Sequence, residues 1–309
     1  MTDMKAVRIH AYGGPDVLAY EDAPRPAPKD GEILVRIHAA GVNPVDWKVC
    51  EGYMKEVWPA QFPLILGYDV AGTVEAVGAN VTEFAIGDAV FSMIRSGGYA
   101  EYAAFPATSA ARKPQSLDFV GAASLPLAAL TAWQALFDHA RLAAGQTVLI
   151  HAAAGGVGHL AVQIAKDKGA HVIATASARN QDFVRSLGAD QVIDYSADKF
   201  EDMVHDVDVV LDTMGGDTQE RSWGVLRPSG ILVSIVSPDT QQQAKAHGKR
   251  GLVMLAQDSG AQLAEIAALI DAGKLKPHVE RVFALAEARQ AQEISQQGHV
   301  RGKLVLQVA

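Results

Sequence analysis

The stretch that most restricts what this chain can fold into is "VLIHAAAGGVGHLAVQIAKDKGAHVIATAS", Val148 to Ser177. An apolar run ends at a glycine-rich turn, a helix-periodic segment follows, and a second apolar run begins after Gly169. Glycine just past the last periodic residue is a helix stop. Two such strands with a helix between them pair in parallel, because parallel strands need a long crossover that a hairpin cannot supply. The alternation continues: "NQDFVRSLG" reads as a helix, and "QVIDY", "DVVLDT" and "GILVSIV" read as strands at similar intervals. The chain is thereby committed to a doubly wound parallel sheet with helices on both faces.

The turn itself carries chemistry. In the G-x-G-x-x-G fingerprint the three positions fall on Ala153, Gly155 and Gly158. The second glycine lets backbone approach a pyrophosphate, and the third lets helix and strand pack closely. The first only makes the tight turn, where alanine is tolerable at negative φ. Free amides at the helix start and the helix dipole then suit an anionic pyrophosphate. A glycine-rich turn alone is often just a turn, but strand, helix and second strand in register favour a dinucleotide. An NAD site wants Asp or Glu about 20 residues beyond the loop. Here the count lands on Thr175, Ala176 and Ser177, with Arg179 next and no acid before Asp182. A hydroxyl with a guanidinium suits a 2′-phosphate, so NADP(H) is the better match. The rival reading makes Ser177 a helix cap and Arg179 a solvated charge.

The first 120 or so residues have another texture. "KAVRIHAYG", "EILVRIHAAG", "DVAGTVEAVG" and "DAVFSMI" are β-rich runs bounded by Gly41, Gly78 and Gly87, which reads as an irregular, mostly antiparallel β domain. From about Ser124 the helical run "LPLAALTAWQALFDHA" opens the alternating region. After about residue 270 come a helix, "HVERVFAL", a polar helix and the closing strand "KLVLQVA". Those last strands lack crossovers of the earlier kind and are expected to rejoin the N-terminal β domain. The expected boundaries are 1–123 with 272–309 for one domain, and 124–271 for the other.

Composition narrows the partners. With a formal net charge of −8, no run of like charges and no Lys/Arg cluster, nucleic acid and anionic membrane are not expected partners. Cys50 is the only cysteine, so neither an internal disulfide nor a thiolate-built zinc site is possible. No apolar signal-like region or long apolar span is evident, and the expected location is cytoplasmic.

"AAGVNPVDWKVCEGY" (39–53), "LILGYDVAGTVEAVG" (64–78) and "LPLAALTAWQAL" (125–136), ahead of the nucleotide loop and the final "GHVRGKLVLQV", complete a pattern. In that order they closely resemble the zinc-independent quinone oxidoreductase branch of the medium-chain dehydrogenase/reductase superfamily. The resemblance runs from Lys5 to the C-terminal strand. It implies a Rossmann-type domain plus a GroES-like catalytic domain. Zinc-dependent members carry a Cys after the "GV" and a "GHE" triplet. This chain has Asn43 in the first place, and Tyr68 and Asp69 within "GYD". Asparagine and tyrosine are poor ligands for a catalytic zinc. Without a Lewis acid, reduction of a quinone or an α,β-unsaturated carbonyl is easier than oxidation of an alcohol, since the acceptor needs only hydrogen-bond donors at its developing oxyanion.

The resemblance further implies roles. Asn43 and Thr131 would contact the nicotinamide end, and Gly155, Gly156, Val157 and Gly158 the pyrophosphate. Ser177, Arg179, Asn180 and Tyr195 would surround the adenosine phosphate, with Asn180 standing where some relatives have lysine. "DTMGG" (212–216) would border the nicotinamide ribose. Tyr53 is the candidate proton donor to the acceptor oxygen, with loop packing as its rival role. For Asp46 helix capping is the expected role, His151 and His159 are read as structural, and Cys50 has no paired base. The expected partner is a small-molecule quinone, enone or alkenal, and the apolar "GLVML" (251–255) at a sheet edge is expected to pair in a homodimer. An enoyl-thioester reductase and a non-catalytic NADPH-binding protein of the same fold are the alternatives.

Overall fold

Short β-branched runs punctuated by glycine and proline set the N-terminal architecture. In chain order they form β1 (Asp3–Ile9), β2 (Ala19–Pro24), β3 (Glu32–Val42), α1 (Pro44–Cys50), β4 (Leu64–Ile65), β5 (Asp69–Val77), β6 (Ala89–Met93), β7 (Tyr102–Pro106), β8 (Ala110–Arg112) and α2 (Phe119–Ala123). This is a computed structural model describing residues 3–308. β1 pairs antiparallel with β2 and β4, while β3 pairs antiparallel with β5 and β7. β3 is buried along most of its length, with Ile33, Val35 and Ile37 packed against Val70, Val74, Val90 and Phe105. Gly72 is required where β5 crosses this strand, because a side chain there would meet Val35 at 2.7 Å.

The chain then enters the alternating region. α3 (Pro126–Trp133) starts on proline, whose fixed φ and missing N–H suit a first turn. It is followed by β9 (Thr147–Ile150), α4 (Gly158–Asp167), β10 (His171–Ala176), α5 (Gln181–Ser186), β11 (Gln191–Asp194), β12 (Val207–Asp212), α6 (Gly216–Ser222), β13 (Leu226–Ser234), α7 (Thr240–Ala246) and β14 (Arg250–Val253). The six strands form one parallel sheet in the order β11-β10-β9-β12-β13-β14. Counted from β9, that is the 3-2-1-4-5-6 order of a dinucleotide-binding sheet.

The last elements are α8 (Gly260–Asp271), β15 (Val279–Ala284), α9 (Ala288–Gln296) and β16 (Lys303–Gln307). β16 lies antiparallel against β3, with Leu304 opposite Val42, so the closing strands do rejoin the N-terminal β structure. One expectation is corrected. β15 and β16 are parallel, with α9 as the crossover between them, because parallel neighbours cannot be joined by a tight turn.

Two compact units result. One holds the chain through Leu127, Asp258–Ala272 and the segment from Pro277 onward; the other holds Ala128–Gln257 and Gly273–Lys276. α8, inside the 124–271 span read from the sequence, groups with the β-rich unit. The reason is close contact: Gly260 lies so near the backbone of Thr108 and Ala110 that a Cβ would come 2.7 Å from the Thr108 carbonyl.

Candidate active site

In the parallel sheet every strand points its carboxyl end the same way, which gathers the loops after β9, β10, β11, β12 and β13 along one edge. The loop after β9 is drawn tight by three bonds. Ala153 N–H donates to Thr175 O (3.0 Å), Gly155 N–H to Ala152 O (2.9 Å), and Thr213 Oγ1 donates to His151 O (2.9 Å). The left-handed residue of the turn is Ala152, at φ 46°. The alanine at the fingerprint's first position therefore does not carry the strained conformation. At Gly158 a Cβ would stand 2.7 Å from Ala153 Cα, so helix and strand pack only without a side chain. At Gly155 the nearest neighbour of an added Cβ is the Ala152 carbonyl, at 3.2 Å.

Among the described residues the amides of Gly156 and Val157 donate to no main-chain carbonyl, while His159 N–H, one turn into the helix, is taken by Gly155 O. Two unsatisfied donors at the start of a ten-residue helix form a cradle for an anion. On this test the loop fits a dinucleotide pyrophosphate.

After β10, Ser177 and Asn180 close on each other, Asn180 Nδ2 donating to Ser177 Oγ at 3.2 Å. Arg179 lies exposed in the same turn, and Tyr195, 58% exposed, follows the neighbouring β11. The nearest acid along the chain, Asp182, is turned to Arg185 at 2.9 Å. Asp194, at the end of β11, accepts from Ser196, which holds its carboxyl below the usual carboxylate range. After β12, Asp212 organises "DTMGG". Its carboxylate accepts from the amides of Met214 and Gly215 and from Gln219 and Ser234. Gly215 and Gly216 supply the positive φ that this turn requires. Thr131 is buried within α3.

His151 and His159 are spent structurally. His151 bonds Thr175 and Ser222, and burial pushes its pKa down to about 4, so it is neutral near pH 7. His159 Nδ1 bonds Gly155 O at 2.8 Å.

In the β-rich unit the candidates meet at the end of β3. Asn43 is 2% exposed and precedes α1. Its N–H donates to Asp46 Oδ2 (2.6 Å), its Nδ2 donates to Asp69 Oδ2 (2.9 Å), and its Oδ1 accepts from Lys303 Nζ. Lys303 also pairs with Asp69 at 3.4 Å. Tyr99 O–H donates to Asp46 Oδ2, and Leu127 N–H donates to Asp69 Oδ1. Asp46 does cap α1, as expected, but it belongs to a buried polar cluster as well. Burial pushes its carboxyl up to about 7, against the pull of its donors, and its Oδ1 has no partner. Neither Lys303 nor Tyr99 stood out in the sequence. The available signal was a lone lysine at the head of an otherwise apolar closing strand.

Tyr53 is brought to none of these groups. It is 71% exposed in the turn after α1, with its ring edge-on to Trp47 at 6.0 Å. Tyr68 packs near Trp58, and burial pushes its hydroxyl pKa up. Burial likewise raises the buried Cys50 thiol to about 11, which makes it an inert group.

The family model for the alcohol dehydrogenase GroES-like domain matches residues 29–115, and one described as zinc-binding dehydrogenase matches 187–306. A chloroplastic quinone-oxidoreductase of Triphysaria versicolor is 34% identical, covering 98% of this chain and 98% of that protein. The chain belongs to the quinone oxidoreductase branch of the medium-chain dehydrogenase/reductase superfamily. Another member, a chloroplastic NADPH-dependent alkenal/one oxidoreductase of Arabidopsis thaliana, is 34% identical over 98% of this chain and 79% of that one. The solved structure of the quinone oxidoreductase from Coxiella burnetii superposes with a TM-score of 0.92 at 38% identity, covering all of both chains. Membership makes this protein an oxidoreductase with a nicotinamide dinucleotide cofactor. Among the described residues of this chain there is no group of three or more His, Cys, Asp or Glu that could hold a metal. Nor does any of its helices have the length and apolarity to cross a membrane.

Proposed function

We propose that this protein is an NADPH-dependent reductase that delivers hydride to quinones or α,β-unsaturated carbonyls without a metal. The observation that carries this reading is the buried Asn43–Lys303–Asp69 contact. At the position of a zinc ligand in zinc-dependent relatives stands a carboxamide already engaged by an ammonium. A divalent cation placed there would face the Lys303 charge and a weak neutral ligand.

The bound reduced nicotinamide supplies the hydride. The chain's residues bind and orient. Gly156 and Val157 amides hold the pyrophosphate, with Gly155 and Gly158 leaving room. Ser177 and Arg179, supported by Asn180 and Tyr195, hold the 2′-phosphate. Asn43 and Thr131 fix the nicotinamide end, and the Tyr53 phenol gives a proton to the acceptor oxygen. The alkenal/one specificity of the Arabidopsis relative supports keeping enones beside quinones as acceptors. The apolar strand edge at β14 supports a homodimer.

The test is oxidation of NADPH and NADH with benzoquinone, phenanthrenequinone, acrolein and a long-chain enone, and with crotonyl-CoA for the thioester alternative. Turnover of a quinone or enone with NADPH preferred is expected, and tight NADPH binding with no acceptor reduced would overturn the reading. Arg179→Asp is expected to weaken NADPH binding at least tenfold (about 1.4 kcal/mol) and leave NADH nearly unchanged. Equal effects would remove the 2′-phosphate assignment. Tyr53→Phe is expected to lower turnover at constant NADPH affinity, and unchanged turnover would remove its proton-donor role.

A further inference from the structure

Lys303 is 3% exposed, an unusual place for an ammonium group unless something holds it there. β16 runs antiparallel to β3 in a register that sets Leu304 opposite Val42, and therefore Lys303 opposite Asn43 at the strand end. The lysine bonds the Asn43 carboxamide oxygen and pairs with Asp69, whose Oδ2 takes the Asn43 amide nitrogen. The two partners discriminate. An ammonium can only donate and a carboxylate can only accept, so exchanging the oxygen and nitrogen of Asn43 would oppose donor to donor and acceptor to acceptor. One Nδ2–H and one oxygen lone pair of Asn43 then remain in a single fixed orientation.

We propose that Lys303 is a positioning residue that locks the Asn43 carboxamide in the orientation used to contact the nicotinamide. This rests on the reductase reading and assigns Lys303 a purpose within it. Removing the ammonium leaves Asp69 buried without its counter-charge. A carboxyl that takes up a proton there becomes a donor, and the constraint on Asn43 is lost. Lys303 acts through Asn43, and its loss matters only while that side chain is present.

The experiment is a double-mutant cycle on the full chain with Lys303→Met, Asn43→Ala and the pair, plus Lys303→Arg. It reads kcat, KM for NADPH, dinucleotide affinity by fluorescence titration, and the thermal melt of each variant. Lys303→Met is expected to lower kcat/KM by roughly tenfold or more, since small misplacements of an orienting group are costly, and Lys303→Arg to recover part of the loss. On the Asn43→Ala background the same change is expected to lower activity less than about twofold. Losses that multiply, or a Lys303→Met enzyme equal to wild type, overturn the proposal. If Lys303→Met gives no cooperative melt, Lys303→Met with Asp69→Asn removes both charges and enters the cycle in its place. A wild-type protein that reduces no acceptor sinks the reductase reading. The cycle is then read on dinucleotide affinity, where multiplying losses again count against positioning.

Discussion

Asp46 illustrates how a single buried group couples this site to pH. It faces Asn43 N–H, Tyr99 O–H, the Asp69 carboxylate and the Lys303 ammonium, and burial outweighs its donors to raise its pKa to about 7 from 3.8. As pH rises through that interval the unfolded chain releases a proton that the folded chain keeps. Folding stability contributed by this group therefore falls between about pH 4 and 7 and is flat above. The span is worth up to about 4 kcal/mol, from ~1.4 kcal/mol per pKa unit. Asp46→Asn keeps an oxygen for Asn43 and Tyr99 but cannot ionise. The expected outcome is that the variant gains on wild type by a few kcal/mol between about pH 5 and pH 8 in urea unfolding. Parallel pH dependences would show that Asp46 does not titrate in that window.

Among elements, the turn from β9 into α4 is the most exacting. Gly158 admits no side chain beside Ala153 Cα at 2.7 Å, and the obstacle is backbone, which cannot rotate away. Gly158→Ala is expected to cost about 1–3 kcal/mol and to weaken dinucleotide binding, because the strain falls on the turn that carries the Gly156 and Val157 amides. Unchanged melting and affinity would mean that the turn can relax. This element was legible in advance because hydrophobic period, glycine spacing and βαβ order are all local properties. Less of the β-rich unit was legible. The amphipathic pattern of α8 marks a buried face without saying what it lies against, and only the contact of Gly260 with Thr108 decides that. The parallel pairing of β15 with β16 was missed because a short polar helix does not advertise a crossover. Lys303 escaped notice because its role comes from strand register with Asn43, 260 residues away in sequence. At the nucleotide loop, alanine is tolerated at position 153 as its expected negative φ allows, because the positive φ of the turn sits on Ala152, which nothing in the local sequence marks.

At the scale of the whole molecule, the six-stranded sheet ends on β14, which among the described residues pairs with β13 alone. That edge is backed from within. Gly251 rests on the buried Trp223, where a Cβ would come 2.5 Å from the indole, and Trp223 in turn stacks on His247. Met254 N–H donates back to Ser234 O at 3.0 Å. By strand alternation the N–H of Val253 points away from β13, toward the open edge. An apolar edge of this kind is an efficient template for strand pairing, and a second copy meeting it across a two-fold axis would join two sheets into one. The expected species in size-exclusion chromatography with light scattering is a dimer of twice the chain mass. Val253→Pro removes a donor on the open side while leaving the β13 bonds in place, a position where proline is tolerated. It is expected to yield a folded monomer whose thermal melt stays cooperative. A wild-type protein that is monomeric at micromolar concentration, or a Val253→Pro variant that remains dimeric, would place any self-association elsewhere on the surface.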